Sequence, residues 1–114
     1  SMTNYASGHY AEKVAVEHLR NLCYKVLDVN WKAKSAEIDI VAQKDDRLVF
    51  FEVKHRKSGW QGSGLDYITP AKFNQMQFAA QLWVHTHGYK GEYSLGAIEL
   101  TGENYEVTAI LDEL

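Results

Sequence analysis

The 114-residue chain predicts an α/β fold in which a mixed central sheet is flanked by helices, with the element order αβββαββ. Three observations predict it. Two stretches, one near the N-terminus and one beyond the middle, repeat apolar residues at helical spacing. Short runs rich in β-branched and aromatic residues lie between and after them. The second helical stretch is long enough to make the crossover that a parallel strand pair requires.

Each element has its own signal. Ser7 is placed to cap a first helix whose stripe is Ala11, Val14, Ala15, Leu19 and Leu22, with Glu12, Lys13 and Glu17 off that stripe and His18 beside it. A strand follows over residues 24–31. The runs 37–42 and 48–55 read as two more strands, joined by the short polar hairpin Lys44-Asp45-Asp46-Arg47. Alternation places Glu37 and Asp39 on one face, opposite Ile38, Ile40 and Ala42. In the next strand it places Glu52 and Lys54 on one face, with Phe51 and Val53 on the other. The glycine-rich stretch 57–64 reads as a mobile loop next to these strands. Thr69 as N-cap and Pro70 at the first helical position open a second helix that Gly88 closes. Its apolar stripe is Phe73, Met76, Ala80, Trp83, Val84 and His87. Two strands, over 92–100 and 105–111, complete the order.

Length and composition predict one domain over residues 8–114, preceded by a tail 1–7 in which Ser1 ahead of Met2 reads as a cloning remnant. No apolar run approaches the roughly twenty residues that span a bilayer, and no secretory leader pattern opens the chain, so a cytoplasmic protein without a membrane partner is expected. The single cysteine, Cys23, allows no disulfide framework or zinc pattern and reads as a small buried thiol. The glycines of the loop lack the Gly-Lys-Ser/Thr ending of a phosphate-cradling fingerprint. Net charge is −3, but eleven of the twelve Lys and Arg lie at or before Lys72, whereas residues 91–114 hold six acids and neither Lys nor Arg. That asymmetry predicts a basic working side and an acidic far side. Lys32, Lys34, Lys54, His55, Arg56, Lys57 and Lys72 form the patch expected against phosphates. Trp60 in the loop either stacks on an unpaired base or folds back as a lid.

Asp39, Glu52 and Lys54 carry the chemistry. Two carboxylates on adjacent antiparallel strands, completed by water and a substrate phosphate, make the hard-oxygen environment that Mg²⁺ prefers, and Mn²⁺ would substitute. A bound cation offsets charge on phosphoryl oxygens, while Lys54 holds or helps to deprotonate the attacking water. By itself Glu-x-Lys on a half-exposed strand is also a common solvated ion pair, worth under about 1 kcal/mol.

The blocks Asn30-Trp31-Lys32, Glu37-Ile38-Asp39-Ile40-Val41-Ala42, Val49-Phe50-Phe51-Glu52-Val53-Lys54-His55-Arg56 and Thr69-Pro70-Ala71-Lys72 together resemble the signature of the YraN family. Those bacterial proteins are predicted endonucleases of the restriction-endonuclease-like, or PD-(D/E)xK, fold, distantly similar to archaeal Holliday junction resolvases. The resemblance implies an αβββαβ core with one extra C-terminal strand. It implies catalysis by Asp39, Glu52 and Lys54, with metal held by Asp39, Glu52 and the backbone carbonyl of Val53. Glu12 and Glu37 match further acids of the family and rank below these, since an acid near a helix start also serves the helix dipole. Ala11, Cys23 and Ala36 replace family glycines, and Ser94-Leu95-Gly96 replaces the common Arg-Phe-Asp, marking a divergent member.

Two functions from different classes follow. The first is a metal-dependent endonuclease acting on DNA, branched or junction DNA included, as a homodimer where both strands are cut. The second is a catalytically silent nuclease-fold module that binds nucleic acid or a protein partner.

Overall fold

Five strands form one mixed sheet in the order β1-β2-β3-β4-β5, with a helix packed on each face. The elements are α1 (Met2–Asn21), β1 (Lys25–Ala33), β2 (Ala36–Lys44), β3 (Arg47–Arg56), α2 (Pro70–His87), β4 (Glu92–Thr101) and β5 (Glu106–Leu111). The computed structural model describes residues 2–57 and 65–114, and for residues 2–7 the backbone alone. The order αβββαββ is the predicted one, an αβββαβ core with a final added strand. All neighbours are antiparallel except β3 and β4, which run parallel because α2 carries the chain across the sheet between them.

Turn and cap chemistry explain the boundaries. β2 and β3 are joined by Asp45 and Asp46, both at positive φ (52° and 64°), the two-residue turn whose twist suits a hairpin. Thr69 accepts the Lys72 amide at 3.1 Å and Pro70 opens α2. At its other end Gly88, at φ 64°, donates to the His85 carbonyl while Tyr89 donates to Val84, a Schellman closure. α1 closes in the same way: Cys23 donates to Arg20 and Tyr24 to Leu19, with Cys23 at φ 71° in the position that glycine usually fills. This corrects two expectations. Cys23 is exposed rather than buried, because the left-handed closing residue lies outside the helix. Leu22, beyond the last helical residue, is 39 % exposed and leaves the stripe. α1 also begins at Met2, so Ser7 lies within the helix instead of capping it.

Two cores sandwich the sheet. On one face Ala11, Ala15, Val16 and Leu19 of α1 meet Ile40, Ala42, Val49, Phe51, Ile98 and Leu100. On the other Ala79, Ala80 and Trp83 of α2 meet Ile38, Val41, Leu48, Phe50 and Leu95. Among the described residues, burying eight large side chains, Phe51, Leu19 and Ile40 among them, almost completely contributes roughly 1.5–3 kcal/mol each, the main stabilising term of the domain. Gly96 is part of that packing: a Cβ there would lie 2.6 Å from the Leu111 carbonyl and 2.8 Å from both Phe51 and Val49. Among the described residues no helix is long and apolar enough to cross a membrane.

Candidate active site

The β2–β3 ladder runs from Lys44 opposite Arg47 to Ile40 opposite Phe51, and there it stops. The next pair in that register would be Asp39 with Glu52, so the hairpin register brings the two predicted acids to facing positions. Instead of a backbone pair, the Asp39 carboxylate accepts the Val53 amide at 2.8 Å. A side chain thus takes the place of a strand carbonyl. The face alternation predicted for residues 38–42 is interrupted at the same point: Ile40 and Ala42 pack with α1, whereas Ile38 packs with α2.

Electrostatics bind this gap to its surroundings. Burial, then the charge of Glu52 and, less, of Glu12, raises the Asp39 carboxyl to about 7, against the Val53 hydrogen bond and Lys72, which favour the anion. Glu12 on α1 is also raised, chiefly by burial, with Glu37 and Glu52 acting the same way and His9 and Lys32 opposing. Its Oε1 is buried without a hydrogen-bond partner. Lys72, in the first turn of α2, places its ammonium 2.8 Å from Glu52. Burial works against that charge, yet the Glu52 hydrogen bond and the charges of Glu52, Asp39 and Glu37 leave the Lys72 pKa raised overall. Acids from α1, β2 and β3 therefore share one field with a lysine from α2.

Lys54 lies two residues beyond Glu52 and is exposed, with its ammonium 5.9 Å from the centre of the Tyr67 ring. Arg56 sits 5.5 Å from the same ring. The Tyr67 hydroxyl is buried without a partner, and burial followed by the charges of Glu52, Glu99 and Asp39 pushes the phenol far above its ordinary range. Tyr67 remains a neutral donor at any physiological pH.

Residues 11–110 match the model of a protein family, described as Uncharacterised protein family UPF0102. The chain belongs to this family, the YraN family. It is 42 % identical over 82 residues to a UPF0102 protein of Kineococcus radiotolerans, covering 72 % of this chain and 67 % of that one. It is 34 % identical over 111 residues to a UPF0102 protein of Flavobacterium johnsoniae, covering 92 % and 90 %. A further UPF0102 protein, of Acidothermus cellulolyticus, is 34 % identical over 107 residues, covering 93 % and 81 %.

In this UPF0102 member the donor set suits a hard divalent cation in composition. It offers two neighbouring carboxylates, Asp39 and Glu52, the charge of the second acting on the first, with the orphaned Glu12 oxygen in the same field. Among the described residues no three acidic, histidine or cysteine side chains form a ready cation cage. An ion such as Mg²⁺, which keeps several waters and takes one or two carboxylates, does not require one.

The predicted phosphate patch divides. Lys32, Lys34 and Lys72 line one cavity with Glu37 and Glu52, between the β1–β2 hairpin and α2. Arg56 does not join them. Its side chain is 10 % exposed, bound to Asp66 and, at 2.7 Å, to Glu99. The parallel β3–β4 register sets Lys54 beside Glu99 and so brings the arginine within reach of that acid. His55 is also diverted, its Nε2 2.8 Å from the Gly102 carbonyl and its ring stacked on Tyr105 at 4.1 Å. Of the C-terminal acids, Asp112 and Glu113 pair with Arg47 at 3.4 and 3.1 Å. Lys57 is exposed at the end of β3, and Trp60 lies outside the described residues.

Sequence reasoning missed Tyr67 and Phe78. Tyr67 follows a glycine-rich stretch and belongs to no periodic element. Phe78 falls off the α2 stripe, and that misfit was the available signal.

Proposed function

We propose that the protein is a metal-dependent endonuclease that hydrolyses phosphodiester bonds in DNA, branched DNA included. The observation that supports this best is the gap between β2 and β3, where Asp39, held by the Val53 amide, faces the Glu52 charge with a carboxyl raised to about 7. Each carboxylate of such a pair disfavours the charge of the other, and perturbed acids of this kind cluster at functional sites. Asp39 and Glu52 would hold Mg²⁺ or Mn²⁺, with the Val53 carbonyl and Glu12 as further oxygen donors. When bound, the ion supplies charge stabilisation at the phosphoryl oxygens and a more acidic water.

The remaining chemistry belongs to the side chains. Lys54, exposed near the end of β3, orients the attacking water or takes its proton, and the Tyr67 ring lies beneath its ammonium. Lys72, paired with Glu52 at the first turn of α2, would also be in reach of a substrate phosphate beside that acid. Lys32 and Lys34 hold the flanking backbone of the substrate.

A second reading, a silent module that binds nucleic acid, draws support from the Lys72–Glu52 ion pair, which satisfies the acid without any metal. Cleavage of labelled junctions, flaps, single strands and duplexes in Mn²⁺ and Mg²⁺ separates the two, with Glu52→Gln purified in parallel. Cutting by the wild type alone supports the nuclease. Binding without cutting by either protein supports the silent module.

A further inference from the structure

A cavity of about 600 Å³ lies between the β1–β2 hairpin and the outer side of α2. Its walls carry Lys32 and Lys34 from the hairpin, Lys72 and Phe78 from α2, and Glu52 from β3. Phe78 is 52 % exposed, although Phe73, Met76, Ala80 and Trp83 of the same helix turn toward the core. One exposed phenylalanine requires no explanation by itself. Here the ring shares a cavity with three lysines and with a carboxylate of the candidate site.

We infer that this cavity seats an unpaired nucleotide next to the scissile phosphate, with its base against the Phe78 ring and its phosphates among Lys32, Lys34 and Lys72. Charge complementarity selects a polyanion, because the lysines outnumber the two acids of the cavity, Glu37 and Glu52. The aromatic ring selects the form of that polyanion. A paired duplex hides the faces of its bases within the stack and offers Phe78 only sugar and phosphate, whereas an unpaired base presents a π-face that any sequence shares. The side-chain amides of Asn74 and Gln75, on the same wall, supply donors and acceptors for a base edge. The substrate class is then DNA with an unpaired stretch at the cut, such as a flap, a splayed arm or a junction. This inference takes the kind of ligand from the nuclease reading and adds the structure that the ligand must have.

Fluorescence anisotropy tests it, with labelled splayed-arm DNA and a fully paired duplex of equal length, in Ca²⁺. The wild type should favour the splayed DNA by at least about five-fold, the lower end of a base–aromatic stack. Phe78→Ala should bring the two within about two-fold of each other, and Phe78→Trp should keep the preference. The inference is overturned if the wild type shows no preference or if Phe78→Ala retains it. It is equally overturned if Phe78→Ala retains the preference while converting a dimer to a monomer in light scattering, which would assign the ring to self-association. Cutting assays with Glu52→Gln judge the nuclease reading separately. Preference without cutting removes that reading and leaves the nucleotide seat standing; cutting without preference does the reverse.

Discussion

Asp39 accepts the Val53 amide at 2.8 Å in the place where the next backbone bond between β2 and β3 would form. This one hydrogen bond holds an acid beside Glu52 in a partly closed environment, and its consequences are measurable without knowing the substrate. The cost is electrostatic, because a buried carboxylate next to another carboxylate disfavours its charged form.

A pH dependence of stability follows. The folded Asp39 carboxyl, at about 7, lies above its unfolded value of 3.8, so between those values the folded state binds more protons than the unfolded one. Stability is therefore fully present below about pH 4 and lost as pH rises through 7, by up to ~4 kcal/mol. Glu12, raised in the same direction, adds to the slope. Urea denaturation of the metal-free protein at pH 5 and pH 8 measures it. Asp39→Asn, which keeps an acceptor for Val53, should flatten the dependence and be more stable than wild type at pH 8. Equal slopes for the two proteins would show that Asp39 is not the group responsible.

Metal binding should carry the opposite pH dependence. A cation that takes the Asp39 carboxylate must displace its proton, so the gain in Tm from Mn²⁺ should grow between pH 6 and pH 8. At a hundred times Kd the stabilisation is ~2.7 kcal/mol, a shift of several degrees in a domain of this size. Glu52→Gln should abolish most of the gain. A metal-dependent shift of the same size in Asp39→Asn and Glu52→Gln would place the ion elsewhere.

Two basic residues of one predicted patch should fail in different ways. Arg56 is 10 % exposed and tied to Glu99 and Asp66, so Arg56→Ala leaves Glu99 buried without its partner and should lower Tm clearly. Lys34 is exposed at the cavity rim, and Lys34→Ala should leave Tm unchanged. It should weaken DNA binding uniformly across sequences and reduce the slope of log K against log salt by about 1. Thermal melts and salt titrations of both variants make the comparison, and a stable Arg56→Ala with a reduced salt slope would return that arginine to the phosphate patch.

What the sequence revealed and what it concealed divide along a physical line. Asp45-Asp46, Thr69-Pro70 and Gly88 specify local dihedrals and caps, so the hairpin and the ends of α2 were legible. The fold order followed from them and from hydrophobic periodicity. Asp39 and Glu52 were legible as candidates because acids are rare in the middle of apolar strands. Their relation was not, because it depends on a side chain displacing a ladder hydrogen bond, which no residue pattern encodes. Cys23 misled for a similar reason: composition favours a buried thiol, but the helix-closing position holds it in the left-handed region and outside the core. Arg56 and His55 looked like patch residues until the partners supplied by β4 and the β4–β5 turn, distant in sequence, were in place.

Gly96 connects packing to the site by way of β3. It stands on β4 opposite Phe51, the residue before Glu52, and a Cβ would collide with the Leu111 carbonyl, Phe51 and Val49 at 2.6–2.8 Å. The Leu111 backbone is fixed by its β5 pairing with Ala97, and Phe51 is 1 % exposed and in edge contact with Tyr24, so neither has room to retreat. Gly96→Ala should therefore destabilise the protein by about 1–3 kcal/mol, the usual consequence of overpacking. Partial relief by Val49→Ala in the double variant would identify the side-chain part of the clash, since Val49 is one of the two side chains the new methyl meets while the Leu111 carbonyl stays in place. Strain passed along β3 from the crowded Phe51 would shift Glu52 relative to Asp39, so the pH slope of stability should shrink in Gly96→Ala and recover in part in the double variant. An unaltered slope in a clearly destabilised Gly96→Ala would show that the carboxylate pair is insulated from the core beneath it.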